Sequence, residues 1–272
     1  EQYLIWVGFV EGPQGYSGLI QGDFGWSFEY DRPVDEIVGD ALWLTVLVNL
    51  AAVLFVYVVA LPLGVLAAAK AETWADYTAG FVGYLGLATP NFLLALILFY
   101  YGHKYFDLPI GGLMDPRFEG EPMSWDKVKS ILVHLIVPTF VIGTSGAAAM
   151  MQRLRANMLD ELSKPYVETA KAKGVAPAKL LSKYPLRMAF NPFVADIGNL
   201  LPSMVSGSVL VSVVLGLQTI GPALLTALKT QDQFLAGFVL MFVALLTLIG
   251  TMISDMLLVL LDPRIRYGGR GA

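Results

Sequence analysis

Five stretches of this chain, at about 41–69, 77–101, 131–151, 193–217 and 233–261, are apolar over lengths that can cross a bilayer, for which a helix needs about 20 residues. In hydrocarbon no water satisfies the backbone, so each stretch must bond within itself as a helix. The expected fold is an all-α integral membrane bundle, polytopic, with about five visible transmembrane helices. Composition points the same way. Charged residues make up 15% of the chain and hydrophobic ones 56%, whereas soluble domains carry about 25% charge. There are no cysteines, which excludes a disulfide framework, a thiolate metal site and a cysteine nucleophile together.

Pro62, Pro90, Pro138 and Pro202 fall in or near span interiors. Each removes a backbone bond and bends its helix. Kinked, packed helices suit a pathway, although proline is also simply commoner in membrane helices. The second stretch ends in Phe99, Tyr100 and Tyr101, the aromatic signature of a lipid–water boundary.

Orientation follows from the bases, which concentrate in cytoplasmic loops. Alternate loops of a five-span chain place twelve on one side: Lys70, then Arg153, Arg155, Lys164, Lys171, Lys173, Lys179, Lys183 and Arg187, then Arg264, Arg266 and Arg270. The other side has six, diluted by thirteen acids in residues 1–40 and 102–130. Residues 1–40, acidic and rich in aromatics, are therefore expected outside as a small folded segment. Residues 41–272 form the membrane domain, with the C-terminus in the cytoplasm. A chain starting outside with no visible signal peptide implies a further, sixth span at the N-terminus, absent here or encoded separately.

The cytoplasmic segment from about Gln152 to Pro192 carries eight bases against three acids. Its local chemistry predicts two short helices. Ser163 serves as N-cap and Pro165 as a first-turn residue. Residues 165–173 follow as a helix with Lys171 and Lys173 in the last turn, where cations suit the dipole. Gly174 stops it in the left-handed conformation, and Pro177 starts the second helix. A basic loop can simply lie on lipid headgroups. The helix–glycine–helix arrangement favours instead a rigid element that seats on a soluble partner and follows its movement.

Glu168-Thr169-Ala170, three residues, then Gly174 resembles the Glu-Ala-Ala-x-x-x-Gly motif of membrane subunits of bacterial binding-protein-dependent ABC importers. Tyr166 to Gly174 as a whole is similar to the dipeptide/oligopeptide permease group, whose relatives also carry nickel or oligosaccharides. Gly22-Asp-Phe-Gly-Trp-Ser-Phe28, Leu108-Pro-Ile-Gly-Gly112 and the ending Asp255 to Asp262-Pro-Arg-Ile-Arg-Tyr267 match further stretches of that group, and the first of them points to its B-type subunit. Two departures stand out: Thr169 replaces an Ala, and Lys183-Tyr-Pro-Leu-Arg-Met-Ala replaces a basic-His-Ala-Leu-Arg-Asn-Ala stretch, which leaves the helix geometry after Lys183 open.

The resemblance implies a non-catalytic permease that forms half of a translocation path. Its partners would be a second homologous permease in a heterodimer, two ATPase subunits and a periplasmic or lipid-anchored substrate-binding protein, in the bacterial inner membrane. No cofactor belongs to this chain; ATP and Mg sit on the ATPase subunits, and no nucleic acid is involved. Coupling to an ATPase would run through the 165–190 loop, with Tyr166, Glu168, Thr169, Ala170, Lys171, Lys173 and Gly174 as its residues. Small side chains at 169 and 170 would allow close approach, and Glu168 would accept hydrogen bonds that fix the loop. Asp23, Trp26 and Trp125, with Met123, are candidates for docking the binding protein.

Other classes fit less well. Gly143-Thr-Ser145-Gly146 matches an intramembrane serine protease motif, but such chemistry needs a histidine base in a later span, and no histidine follows His134. The small-residue run from Gly143 to Ala149 suits close helix packing. His103 and His134 lack metal-ligand spacing, and no P-loop is present. A secondary transporter or channel would place ionisable groups in mid-membrane; Asp196 and Asp255 are the candidates, and with Asn199 they are candidates for a translocation path or for helix pairing. The expected topology is testable: single cysteines at Gly18 and Lys179 should label from opposite sides of intact cells.

Overall fold

The computed structural model describes residues 2–11, 17–106, 108–118, 120–191, 193–194 and 207–261. It is mostly helical. A short helix α1 (Gln2–Val7) and a two-stranded antiparallel ribbon, β1 (Trp26–Ser27) with β2 (Arg32–Pro33), precede the long α2 (Val34–Ala69). Then come α3 (Trp74–Ala88), α4 (Asn91–Phe106), α5 (Trp125–His134) and α6 (Ile136–Leu162). Three small helices follow, α7 (Pro165–Ala172), α8 (Pro177–Lys183) and α9 (Pro185–Ala189). After a helical stretch over 207–214, α10 (Ile220–Thr230) and α11 (Gln233–Leu261) complete the described chain.

Among the described residues three helices are long and apolar enough to cross a membrane, or four spans if the bent pair α3 and α4 counts as one. That pair corrects the second expected span. The stretch 77–101 is not a single helix but two, meeting at 96°. The cause is Pro90, whose ring pushes the preceding residue out of the helical region: Thr89 is extended, at φ −85° and ψ 116°. Pro62, by contrast, sits inside α2, which continues through it. Pro138 is the third residue of α6, within the first turn, where no backbone bond is lost. Pro202, Asp196 and Asn199, the middle of the fourth expected span, and the Asp262-Pro-Arg ending lie outside the described residues.

Boundaries also move. α2 begins at Val34, so the end of the segment 1–40 is already its first turns, with Asp35 and Glu36 favourably placed at the positive helix end. α6 runs on to Leu162, so the first residues assigned to the loop 152–192 are helix.

α6 is the centre of the bundle and packs on α2, α3 and α4. On α2, Val48, Ala52, Val56 and Ala60 recur every four residues and are buried; they share one core with Val141, Ala147 and Leu154 of α6. The run 143–149 is the close-packing face: a Cβ on Gly143 would lie 2.5 Å from the Phe55 ring and 3.3 Å from the Ala52 carbonyl. The approach itself depends on the missing side chain, since small residues let membrane helices pack by dispersion.

At one end of the bundle three connections meet. Asp232, 1% exposed, caps α11 by accepting the Leu235 N–H at 3.2 Å. Its other oxygen accepts the Ser27 hydroxyl of β1 and, at 3.4 Å, the Glu29 N–H. Phe24 stacks edge-on against Phe238 at 4.6 Å. Gly112 donates its N–H to the Leu215 carbonyl at 3.1 Å, and Thr45 of α2 accepts the Ile220 N–H that opens α10. The segment before α2 is thus folded onto the bundle. A Cβ at Gly18 would lie 2.6 Å from the Gly8 nitrogen, so the exposed Ile20 is the better position for a topology label. Asp232→Ala removes a helix cap worth about 1 kcal/mol and orphans buried Ser27; limited proteolysis should then cut residues 17–33 faster while α2 and α6 stay protected.

Candidate functional site

The α7–α8 unit is a three-sided knot at the end of α6. Pro165 is the first residue of α7, where its lacking N–H and fixed φ cost nothing. The N-cap is Lys164, not Ser163; the Ser163 hydroxyl turns back to the Asp160 carbonyl and finishes α6 instead. Gly174 has φ +74°. Its N–H reaches the Lys171 carbonyl at 2.9 Å, and the Val175 N–H reaches the Ala170 carbonyl at 3.2 Å. That pair of bonds is a Schellman stop, and its apolar contact is present: Val175 and Leu162 pack on buried Val167, Ala170 and Leu180. Pro177 opens α8. The Tyr-Pro departure has a definite outcome, since Tyr184 breaks the helix and Pro185 restarts it as α9.

Tyr166 binds α7 to α6. Its hydroxyl donates to the Glu161 carboxylate, and its ring lies 6.1 Å from that of Tyr184. Partial burial, and the hydrogen bond to Glu161, push the phenol up to about 12, so it remains a neutral donor throughout the physiological range. The outward side of α7 carries Glu168, Thr169, Lys171 and Lys173, all exposed. Thr169 returns its hydroxyl to the Pro165 carbonyl at 2.9 Å and presents only its methyl side. Two expectations change here. Ala170 faces the knot rather than outward, being 6% exposed. The Glu168 carboxylate accepts no hydrogen bond among the described residues; the loop is fixed by Gly174, the apolar knot and Tyr166.

Arg155, counted in the sequence analysis among the loop bases, proves structural, and its partner was not singled out there. Arg155 of α6 grips Asp76 of α3 through Nε at 2.5 Å and Nη2 at 2.6 Å, with Asp76 3% exposed. The available signal was an acid at the edge of an apolar stretch, which needs a partner when buried.

The other candidates do not form one site. Asp23 accepts bonds from the Ser17 hydroxyl and the Gly25 N–H, which hold its carboxyl below the usual carboxylate range. Trp26 donates its indole N–H to Asp31 at 3.2 Å. Trp125 and Met123 are exposed beside α5. His134 bonds the Ser130 carbonyl one turn back. Asp255 lies on the exposed face of α11 between Met252 and Met256, away from the bundle.

Comparison with known proteins gives the class first. The fold is shared with a chain of the MetNI methionine ABC transporter in inward-facing conformations, at a TM-score of 0.64 and 14% identity, over 83% of this chain and 96% of that one. That likeness is one of fold. Residues 60–267 match the family described as binding-protein-dependent transport system inner membrane component, and the chain belongs to that family. The oligopeptide transport system permease protein AppB of Bacillus subtilis is 32% identical over 98% of this chain and 80% of its own length. The inner membrane ABC transporter permease protein YejB of Escherichia coli is 32% identical over 92% and 70%. The chain is a membrane permease subunit of an ABC importer, and the secondary transporter or channel reading is set aside.

The stop at Gly174 is testable in isolation. Gly174→Val should destabilise the knot by about 1–2 kcal/mol, the cost of a left-handed L-residue, whereas Gly174→Asn should cost less because Asn visits that region. Amide exchange over residues 165–183 should rise in that order.

Proposed function

We propose that this chain transports di- or oligopeptides, as half of a path shared with a second homologous permease, and that α7 seats in a groove of an ATPase subunit. ATP and Mg are held by that partner. The single observation that carries this is α7 itself: a short helix stopped at both ends, pinned to α6 by Tyr166 and Glu161, with an outward face of small and charged groups. Such a helix passes on displacement where a loose loop would absorb it. The peptide class is supported by the relatives, whose names include oligopeptide and dipeptide transport systems.

The end of the bundle with residues 17–33, 108–124 and 215–232 is then periplasmic, and the end with α7 to α9 cytoplasmic, in keeping with the bases. The outer collar, with Asp23, Trp26 and Trp125, receives the binding protein. Asp23 and Trp26 also hold their own segment together, so a docking role must show as lost binding-protein stimulation with assembly intact. Asp255 pairs α11 with a neighbouring membrane helix; Asp196 and Asn199 are proposed for the path.

Gly174→Val and Glu168→Lys should leave the permease inserted and paired with its sister, yet detach or uncouple the ATPase and abolish uptake. Wild-type substrate-stimulated hydrolysis and uptake in both purified variants would refute the coupling role.

A further inference from the structure

The Asp76 carboxylate joins three elements. Its Oδ1 accepts Arg155 Nε from α6, and its Oδ2 accepts Arg155 Nη2. The same Oδ2 accepts the Glu72 N–H at 3.0 Å. Glu72 is the turn residue between α2 and α3 and is held at φ +64°, a conformation that L-residues avoid. One buried group therefore sets the α2–α3 turn, the first turn of α3 and the side of α6.

Along the rest of their length α3 and α6 meet at glycines. A Cβ on Gly83 would fall 2.4 Å from the Met151 methyl, and one on Gly86 3.2 Å from the Ala148 Cβ. The polar link there is Gln152 Nε2 to the Gly80 carbonyl at 3.3 Å. Each dispersion contact across such a face is individually small and carries no bond geometry of its own. A bidentate guanidinium–carboxylate pair has fixed geometry, and sliding it apart would strand a buried charge. At its other end α3 meets α4 at extended Thr89 and Pro90, across the 96° corner.

We propose that Asp76 and Arg155 are positioning residues for energy coupling: they clamp α3 to α6, so that displacement of α7 carries both helices as one arm about the Thr89–Pro90 corner. This rests on the coupling role assigned to α7. Without the clamp, α6 slips along the glycine face and α3 stays behind.

The test uses the whole complex in proteoliposomes: permease pair, ATPase subunits and binding protein. Asp76→Asn and Arg155→Gln should still copurify with the ATPase and keep basal hydrolysis, while binding-protein-stimulated hydrolysis and uptake fall at least about tenfold, within the usual range of coupling effects. Arg155→Lys keeps the charge without the fork and should fall between. Because the chain has no cysteine, spin labels can be placed on chosen exposed positions of it, in a complex whose partner subunits have had their cysteines replaced. The Trp74→Cys/Ala156→Cys distance, α3 to α6, should match in nucleotide-free and ATP-trapped states, while Trp74→Cys/Tyr100→Cys, across the corner, should change. Wild-type stimulation in Asp76→Asn and Arg155→Gln, or an α3–α6 distance that changes between states, would overturn the proposal. If the single variants do not assemble, the two distances decide it. Full coupling in Gly174→Val would sink the role of α7 and leave the distance result standing, so the two failures are distinguishable.

Discussion

Lipid offers the backbone no partners, and the close approach of α2 to α6 is what this chain builds on that constraint. Once every span is a self-bonded helix, helices are held by packing, and packing needs short side chains where axes come near. Gly143 against Phe55 and Ala52, and Gly64 against Leu154 and Met151, bring α6 into a central position. The other described helices take their places from it. Where helix bonding fails, as at Thr89–Pro90, the chain turns a corner instead of crossing straight.

Toward the two ends of this apolar core polar groups decide how connections are held. At one end Asp232 caps the helix that follows it, Thr45 of α2 caps the distant α10, and Ser27 anchors the leading segment. At the other end Asp76 and Arg155 tie two spans together, while α7 and α8 close on their own small core. Among the described residues the buried carboxylates, Asp76 and Asp232, both have partners, as burial requires. The exposed carboxylate of Asp255 on α11 is the contrast.

Much of this was legible in the sequence, for physical reasons that differ from site to site. Apolar length fixes that spans exist, because nothing else satisfies a backbone in lipid. The Pro165, Gly174 and Pro177 spacing locates α7 and α8, because these residues act through their own φ preferences. What lay hidden depends on distant partners. Pro62 and Pro90 look alike in sequence, yet one stays within a helix and the other ends one. Asp76 and Arg155 lie 79 positions apart; in sequence Arg155 read as one more loop base, and nothing marked Asp76 as its partner. Ala170 looked like part of a contact surface until the Leu180 side chain claimed it. In Thr169 and Ala170 the same small size serves opposite faces.

The account's central claim is that α7 is the contact with the ATPase, and that its outward and inward faces have separate duties. Site-specific cross-linking in the purified importer tests it most directly. A photoreactive group on Thr169→Cys should cross-link to an ATPase subunit, while the same group on Ala170→Cys, beneath the helix, should cross-link only within this chain. Failure of Thr169→Cys to reach the ATPase, in a complex that still hydrolyses ATP in response to the loaded binding protein, would contradict it.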